Sequence, residues 1–222
     1  MSKQYDYHKR EPHTSWQIVH IEVLLEEALK HENVSFVFYA ALEARNILEQ
    51  TEFDLILMST DKTEWENVIA LAKGKSGLEK GNQKYKALKY KYQSFSEALT
   101  KVILDFSLKI YDYKASDKFQ SLLADYIHIY TRTPEELQFY SDYVQRGIGI
   151  VYETIAFIKS YYVKQDDGYV FGLLNFNTLS EALKKEFENW KNSVSEDTEA
   201  LYEKIKKIND EQSGGAKAVL VE

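Results

Sequence analysis

The 222-residue chain contains no cysteine. Disulfides, cysteine-ligated zinc, iron–sulfur clusters and thiol nucleophiles are thereby excluded, and a reducing compartment fits. With two prolines and nine glycines, the chain is short of the punctuation that the many turns of an all-β fold require. Long apolar runs are also missing. The longest, such as Phe36 to Leu42 and Gly147 to Val151, fall well short of the roughly 20 residues that cross a bilayer. The opening stretch MSKQYDYHKREPHTSW is polar and lacks the apolar core of a secretory signal. The expectation is a soluble cytoplasmic protein that does not enter a membrane.

What is present is ordinary for a globular chain. Hydrophobic residues make up 44% and charged residues 28%, which excludes disorder over most of the length. The formal net charge of −7 favours solubility and argues against broad nucleic-acid binding. No repeat of fixed period and no sharp shift in composition divides the chain.

Periodicity predicts helices nearly throughout. A first helix opens at Thr14 or Ser15 and runs to about Lys30, with Val19, Val23, Leu24 and Ala28 on its buried side. His31 to Asn33 breaks it. A second runs from about Ser35 to Met58 on a stripe that includes Val37, Ala40, Ala41, Ala44, Leu48 and Leu55. Asp61 has the spacing of an N-cap for a short helix ending at Ala72, and Gly74, Gly77 and Gly81 then read as a flexible loop. Tyr85, Leu88, Tyr92, Phe95, Leu99, Val102 and Phe106 alternate spacings of three and four, a seam that should pack against another long helix. A break near Ala115-Ser116-Asp117 precedes a shorter helix. Thr133-Pro134-Glu135-Glu136 is a start signal for the next, which carries Leu137, Tyr140, Val144, Ile148, Val151, Ile155, Ile158 and Tyr162 on one face to about Lys164. Gly147 and Gly149 interrupt it, which calls for a kink or a close helix contact.

Asp166-Asp167-Gly168 reads as a turn, followed by a loop or short extended piece from Tyr169 to Asn177. Two more helices follow, near 180–191 and 195–209, the second introduced by Ser193-Val194-Ser195-Glu196. The expected fold is all-α: a single helical bundle of long antiparallel helices with a peripheral C-terminal helical hairpin. One domain spans 1–212, with a core at about 14–165, C-terminal helices at about 178–210 and a flexible tail at 213–222.

No cofactor is expected, and no metal site, because His8, His13, His20, His31 and His128 stand at no ligand spacing. There is no nucleophile elbow, phosphate loop or dinucleotide fingerprint. The most distinctive chemistry is a lysine–tyrosine segment. Lys73, Lys75, Lys80, Lys84, Lys86, Lys89 and Lys91 are opposed only by Glu79, with Tyr90 the ring expected to stay outside the seam. Such a segment can neutralise phosphates and stack on bases, or it is a solvated basic face. On the second helix, Arg45 and Glu49 are one turn apart and can pair. A small-molecule pocket among the seventeen tyrosines is a further reading, since bundles hold ligands between helices.

The run Phe38-Tyr39-Ala40-Ala41-Leu42-Glu43-Ala44-Arg45-Asn46-Ile47-Leu48-Glu49, preceded by a short helix and followed by long ones, resembles bacterial proteins of the HEPN type (higher eukaryotes and prokaryotes nucleotide-binding). The resemblance covers about the first 60 residues in pattern. It implies an α-helical bundle that often dimerises, frequently in toxin–antitoxin, phage-defence or RNA-processing systems, with some members acting as metal-independent RNases. Catalytic members carry an arginine followed after about four to six residues by a histidine, which sets a cation and an acid or base beside the scissile phosphate. This chain departs from that pattern: Arg10 is too near His13 and too far from His20, and Arg45, Arg132 and Arg146 have no histidine at that distance after them. The expectation is therefore a noncatalytic interaction protein that self-associates as a homodimer or other homo-oligomer, with a protein partner or RNA as further binders. The alternative is a HEPN-type RNase or other phosphate-handling enzyme that uses Arg45, Glu49 and the lysines.

Overall fold

Alternating apolar spacings of three and four become helices in the computed structural model, which describes residues 14–74, 76–103, 109–165, 168–171 and 179–211. In chain order these are α1 (Thr14–His31), α2 (Val34–Ser59), α3 (Trp65–Ala72), α4 (Gly77–Lys84), α5 (Lys86–Ile103), α6 (Tyr113–Ile127), α7 (Asp142–Lys159), α8 (Glu181–Asn192) and α9 (Thr198–Glu211). A pair of strands, β1 (Tyr162–Gln165) and β2 (Gly168–Phe171), forms the one small sheet among the described residues. The all-α expectation holds. The turn expected at Asp166-Asp167, most of the loop after Phe171, Phe106 of the seam and the tail at 213–222 lie outside the described residues.

The chain forms two compact units, each built from two separate stretches: Met1–Glu52 with Asp112–Tyr169, and Phe53–Tyr111 with Val170–Glu222. Because neither unit is contiguous, no shift of composition along the sequence marks the division.

In the first unit α1 and α2 form an antiparallel hairpin. Glu32 turns the chain at φ 48°, and the Asn33 amide donates back to the Ala28 carbonyl at 3.1 Å, closing the helix end in the manner usually left to glycine. The Asn33 side chain then caps α2 by accepting from the Ser35 amide at 2.9 Å. Ala40, Ala41 and Ala44 are all buried, so neighbouring helices come close to α2. The register of α1 differs from expectation. Leu24 and Ala28 are buried as expected, but their companions are Ile18, Ile21 and Leu25, whereas Val19 and Val23 face outward. α1 carries two apolar stripes, and periodicity does not choose between them.

The expected break at Ala115-Ser116-Asp117 lies inside α6, because Asp112 has already capped that helix by accepting from the Lys114 and Ala115 amides at 3.0 and 3.1 Å. Ser116 is buried and donates to the Glu52 carboxylate at 2.6 Å. Of the three residues expected to break the chain, Ser116 is thus a buried hydrogen-bonded group inside the helix, and Asp117 stays exposed. Thr133 and Glu136 do form the reciprocal capping pair, at 2.9 and 3.3 Å, but the residues that follow make turns, and α7 starts at Asp142 with Ser141 as its cap. Tyr140 consequently points outward. Val144, Ile148, Val151, Ile155 and Ile158 are buried as the stripe required. Gly147 is the close contact: a Cβ there would stand 2.5 Å from Tyr126 Cε1.

In the second unit, the glycines expected to form a loop instead build α4. A Cβ on Gly77 would meet the Leu71 carbonyl oxygen at 2.2 Å, and one on Gly81 would meet Ile56 Cδ1 at 3.1 Å, so these glycines serve close approach rather than flexibility. Asp61 does not cap with its side chain; its carboxylate accepts from Lys191 at 3.0 Å. The α5 seam is real, with Tyr92, Phe95 and Leu99 buried, and α5 packs against α8 and α9. Leu183, Trp190, Leu201 and Ile205 bury the inner sides of those two helices in the same core. α9 is capped by Asp197, which accepts from the Glu199 and Ala200 amides at 3.1 and 3.0 Å, rather than by the Ser193–Glu196 stretch.

Candidate functional site

Arg45 and Glu49 lie one turn apart on α2, as the spacing required, and Arg45 Nε donates to Glu49 Oε1 at 2.9 Å. Both side chains are partly exposed, so the pair sits on the helix surface in high dielectric and contributes little to stability. Each satisfies the other.

The lysine segment divides. Lys73, Lys80, Lys84 and Lys86 are exposed along the end of α3, α4 and the start of α5, Tyr90 is half-buried, and Lys75 lies outside the described residues. Lys84 sits 4.9 Å from the Tyr85 ring centroid, and the Tyr85 phenol beside it holds its pKa above the usual lysine value. Lys89 and Lys91 turn inward, at 2% and 7% exposure. Lys89 Nζ donates to Asn82 Oδ1 at 2.5 Å. Lys91 donates to Ser193 Oγ at 3.0 Å and to the Ser195 carbonyl, with its ammonium 3.7 Å from the Trp190 ring centroid. Burial pushes the Lys91 pKa down, and Glu196 opposes that only in part. The Trp190 indole N–H donates to the Lys91 carbonyl and to Ser94 Oγ, both at 3.1 Å. These two lysines fasten α5 to its neighbours. Charge alone along the sequence does not separate them from the exposed four.

The sequence reading missed a second cationic cluster. The Arg132 guanidinium lies 4.5 Å from the Tyr143 ring centroid, Tyr143 stacks on Tyr126 at 4.7 Å, and the Tyr143 hydroxyl donates to the Asp125 carbonyl at 2.6 Å. Burial raises the pKa of both tyrosines. Arg132 also pairs with Glu136 at 3.5 Å. This cluster ties the segment before α7 to the end of α6.

A further unanticipated feature is a set of outward apolar side chains on the α1–α2 hairpin. Trp16, Val19, Val23, Tyr39 and Leu42 are 55%, 46%, 47%, 59% and 39% exposed. Several large apolar side chains exposed on one hairpin are a mark of an interaction site. Of these residues, Val19 and Val23 were expected on the buried side of the first helix, and both face outward.

Among the described residues no group of histidine, aspartate and glutamate is arranged to hold a metal ion, and no helix is long and apolar enough to cross a membrane. No protein-family model matches the chain, and neither a curated protein nor a solved structure is similar to it.

Proposed function

We propose that this chain is a noncatalytic helical interaction protein, HEPN-like in its first two helices, that acts in the cytoplasm by associating with a second protein or with another copy of itself, as a component of a bacterial defence or toxin–antitoxin type of system. The observation that carries the reading is the outward face of Trp16, Val19, Val23, Tyr39 and Leu42. Five large apolar side chains held half in water on one hairpin are costly unless something covers them. The Arg45–Glu49 pair agrees with it: the two groups most suited to phosphate chemistry on α2 are bonded to each other.

A second reading, an RNA- or phosphate-handling surface, is favoured by the four exposed lysines 73, 80, 84 and 86. Light scattering of the purified chain separates the two, with and without total cellular RNA at low and moderate salt. A protein–protein function predicts masses indifferent to RNA. An RNA complex that dissolves with salt, and that weakens when Lys80, Lys84 and Lys86 become glutamine, would replace it with the second reading. Cleavage of that RNA, abolished by Arg45→Ala, would establish the enzyme.

A further inference from the structure

In the second unit, α5 is buried over most of its length, and Lys91 lies in that buried stretch at 7% exposure. Its ammonium meets Ser193 Oγ at 3.0 Å, the Ser195 carbonyl, and the Trp190 ring, whose centroid is 3.7 Å away. These groups are all neutral, and no carboxylate pairs with Lys91 among the described residues. Other half-buried lysines do have one: Lys159 has Glu22, and Lys191 has Asp61. A buried cation without an anion is costly, and burial accordingly pushes the Lys91 pKa down. Glu196 is the acidic group whose field reaches it, and it offsets that fall only in part.

An anion has a covalent route to this ammonium. Ser193 ends α8 with an extended backbone, φ −78° and ψ 153°, and opens a surface loop in which Val194, Ser195, Glu196 and Asp197 are exposed. Ser193 is itself partly exposed, so it joins solvent to the buried charge. A phosphoryl group on its Oγ would bring anionic oxygens within hydrogen-bond reach of Lys91, and pairs of phosphoserine with a cation order the segments that carry them. Little is given up in exchange. Ser193 Oγ donates to the Trp190 carbonyl at 2.9 Å, but that carbonyl also accepts from the Ser193 amide at 3.1 Å. The start of α9 is not the seat, because Asp197 already caps it. Ser195 differs from Ser193: its hydroxyl accepts from the Asp197 amide at 3.2 Å, and it meets Lys91 through its main chain.

We propose that Ser193 is a phosphorylation site, with Lys91 as the cation that receives the phosphate and so locks the α8–α9 loop onto α5. Glu196, three residues after Ser193, suits a serine kinase that selects an acidic residue at that place. In the transfer, Ser193 Oγ attacks the γ-phosphorus of ATP and a new P–O bond forms. The bond from that phosphorus to the β–γ bridging oxygen breaks, ADP leaves, and the hydroxyl proton passes to the base of the kinase. The site does not depend on the interaction-protein reading.

The test uses the full chain with phosphoserine at position 193, at position 195, or at neither. In phosphorus-31 titrations the phosphate at 193 should lose its second proton at lower pH than the phosphate at 195, because the Lys91 charge favours the dianion. Lys91→Met should erase the difference. The comparison of 193 with 195 needs no substitution, so it decides the matter even where Lys91→Met unfolds. In urea, phosphate at 193 should raise the folding equilibrium constant of the second unit about tenfold or more. An acidophilic serine kinase with magnesium and ATP should label Ser193 of the parent chain, located by peptide mass spectrometry. Equal titration of the two phosphates, a second unit loosened by phosphate at 193, or labelling confined to Ser195 overturns the proposal. A Lys91-dependent shift of added inorganic phosphate on the unmodified chain also overturns it, since the seat would then belong to a free anion.

Discussion

Two glycines on one helix should respond to alanine in opposite directions. At Gly147 a Cβ would stand 2.5, 2.8 and 3.1 Å from Tyr126 Cε1, Cδ1 and Cζ. That ring has little room to retreat. It is buried, stacked on Tyr143 with planes 20° apart, and its hydroxyl donates to the Tyr143 carbonyl at 3.2 Å. Overpacking a closed site costs about 1–3 kcal/mol. Disturbing the ring pair and its hydroxyl bond costs about 1 kcal/mol more, while alanine returns about 1 kcal/mol of helix propensity. Gly147→Ala should therefore destabilise the first unit by about 1–3 kcal/mol. At Gly149 nothing lies within 4 Å of the added Cβ, so Gly149→Ala should stabilise by up to about 1 kcal/mol through propensity and the stiffer unfolded chain. Urea denaturation, read through amide exchange in α6 and α7, measures both. In a Tyr126→Ala background the 147 substitution should become neutral or stabilising, because its collision partner is gone. A Gly147→Ala protein as stable as the parent, or two glycines that respond with the same sign, would refute the packing argument.

Three further outcomes follow from the hydrogen-bond geometry. Burial holds the Lys91 pKa below its usual 10.5, so the folded chain releases that proton first and the second unit should gain stability as pH rises through the window ending near 10.5. Lys91→Met should remove that rise and cost about 1–2 kcal/mol at neutral pH as Ser193 and Ser195 lose their donor, both measurable by urea melts across pH. Asp112→Ala removes the acceptor for two amides at the start of α6 and should cost about 1 kcal/mol in thermal or urea unfolding. The Thr133 amide holds the Glu136 carboxyl below its ordinary 4.5, with Arg132 assisting and desolvation opposing. The stabilisation this brings is present above the unfolded value and lost as pH falls through the folded one. A carbon-13 titration of the Glu136 carboxyl should show the depressed value, and Thr133→Pro, which deletes the donor, should move it upward.

Much of the architecture is legible in residue order because helix formation is local. The α2 stripe at Val37, Ala40, Ala41, Ala44 and Leu48, the α5 seam at Tyr92, Phe95 and Leu99, and the α7 stripe from Val144 to Ile158 are all buried as their spacings require. Errors arose where a local signal had a non-local purpose. Gly77 and Gly81 read as a loop, but they admit backbone and side chains that come from α3 and α2. Ser116 read as a break, but it bonds a carboxylate 64 residues earlier. The Thr133–Glu136 pair formed as its sequence demands, yet the chain after it turns instead of continuing as helix.

The same division holds for the candidate sites. Composition and spacing by themselves determined a helical chain, the pairing of Arg45 with Glu49 and the concentration of lysine between 73 and 91. Tertiary structure alone decided that Lys89 and Lys91 are buried while four neighbours remain in water, and that α1 turns Ile18, Ile21 and Leu25 inward and leaves Val19 and Val23 outside. Periodicity reports how apolar residues are spaced around a helix, not which way the helix faces. Where two stripes compete, the choice falls to residues far away in sequence that fill the space on one side and leave the other open.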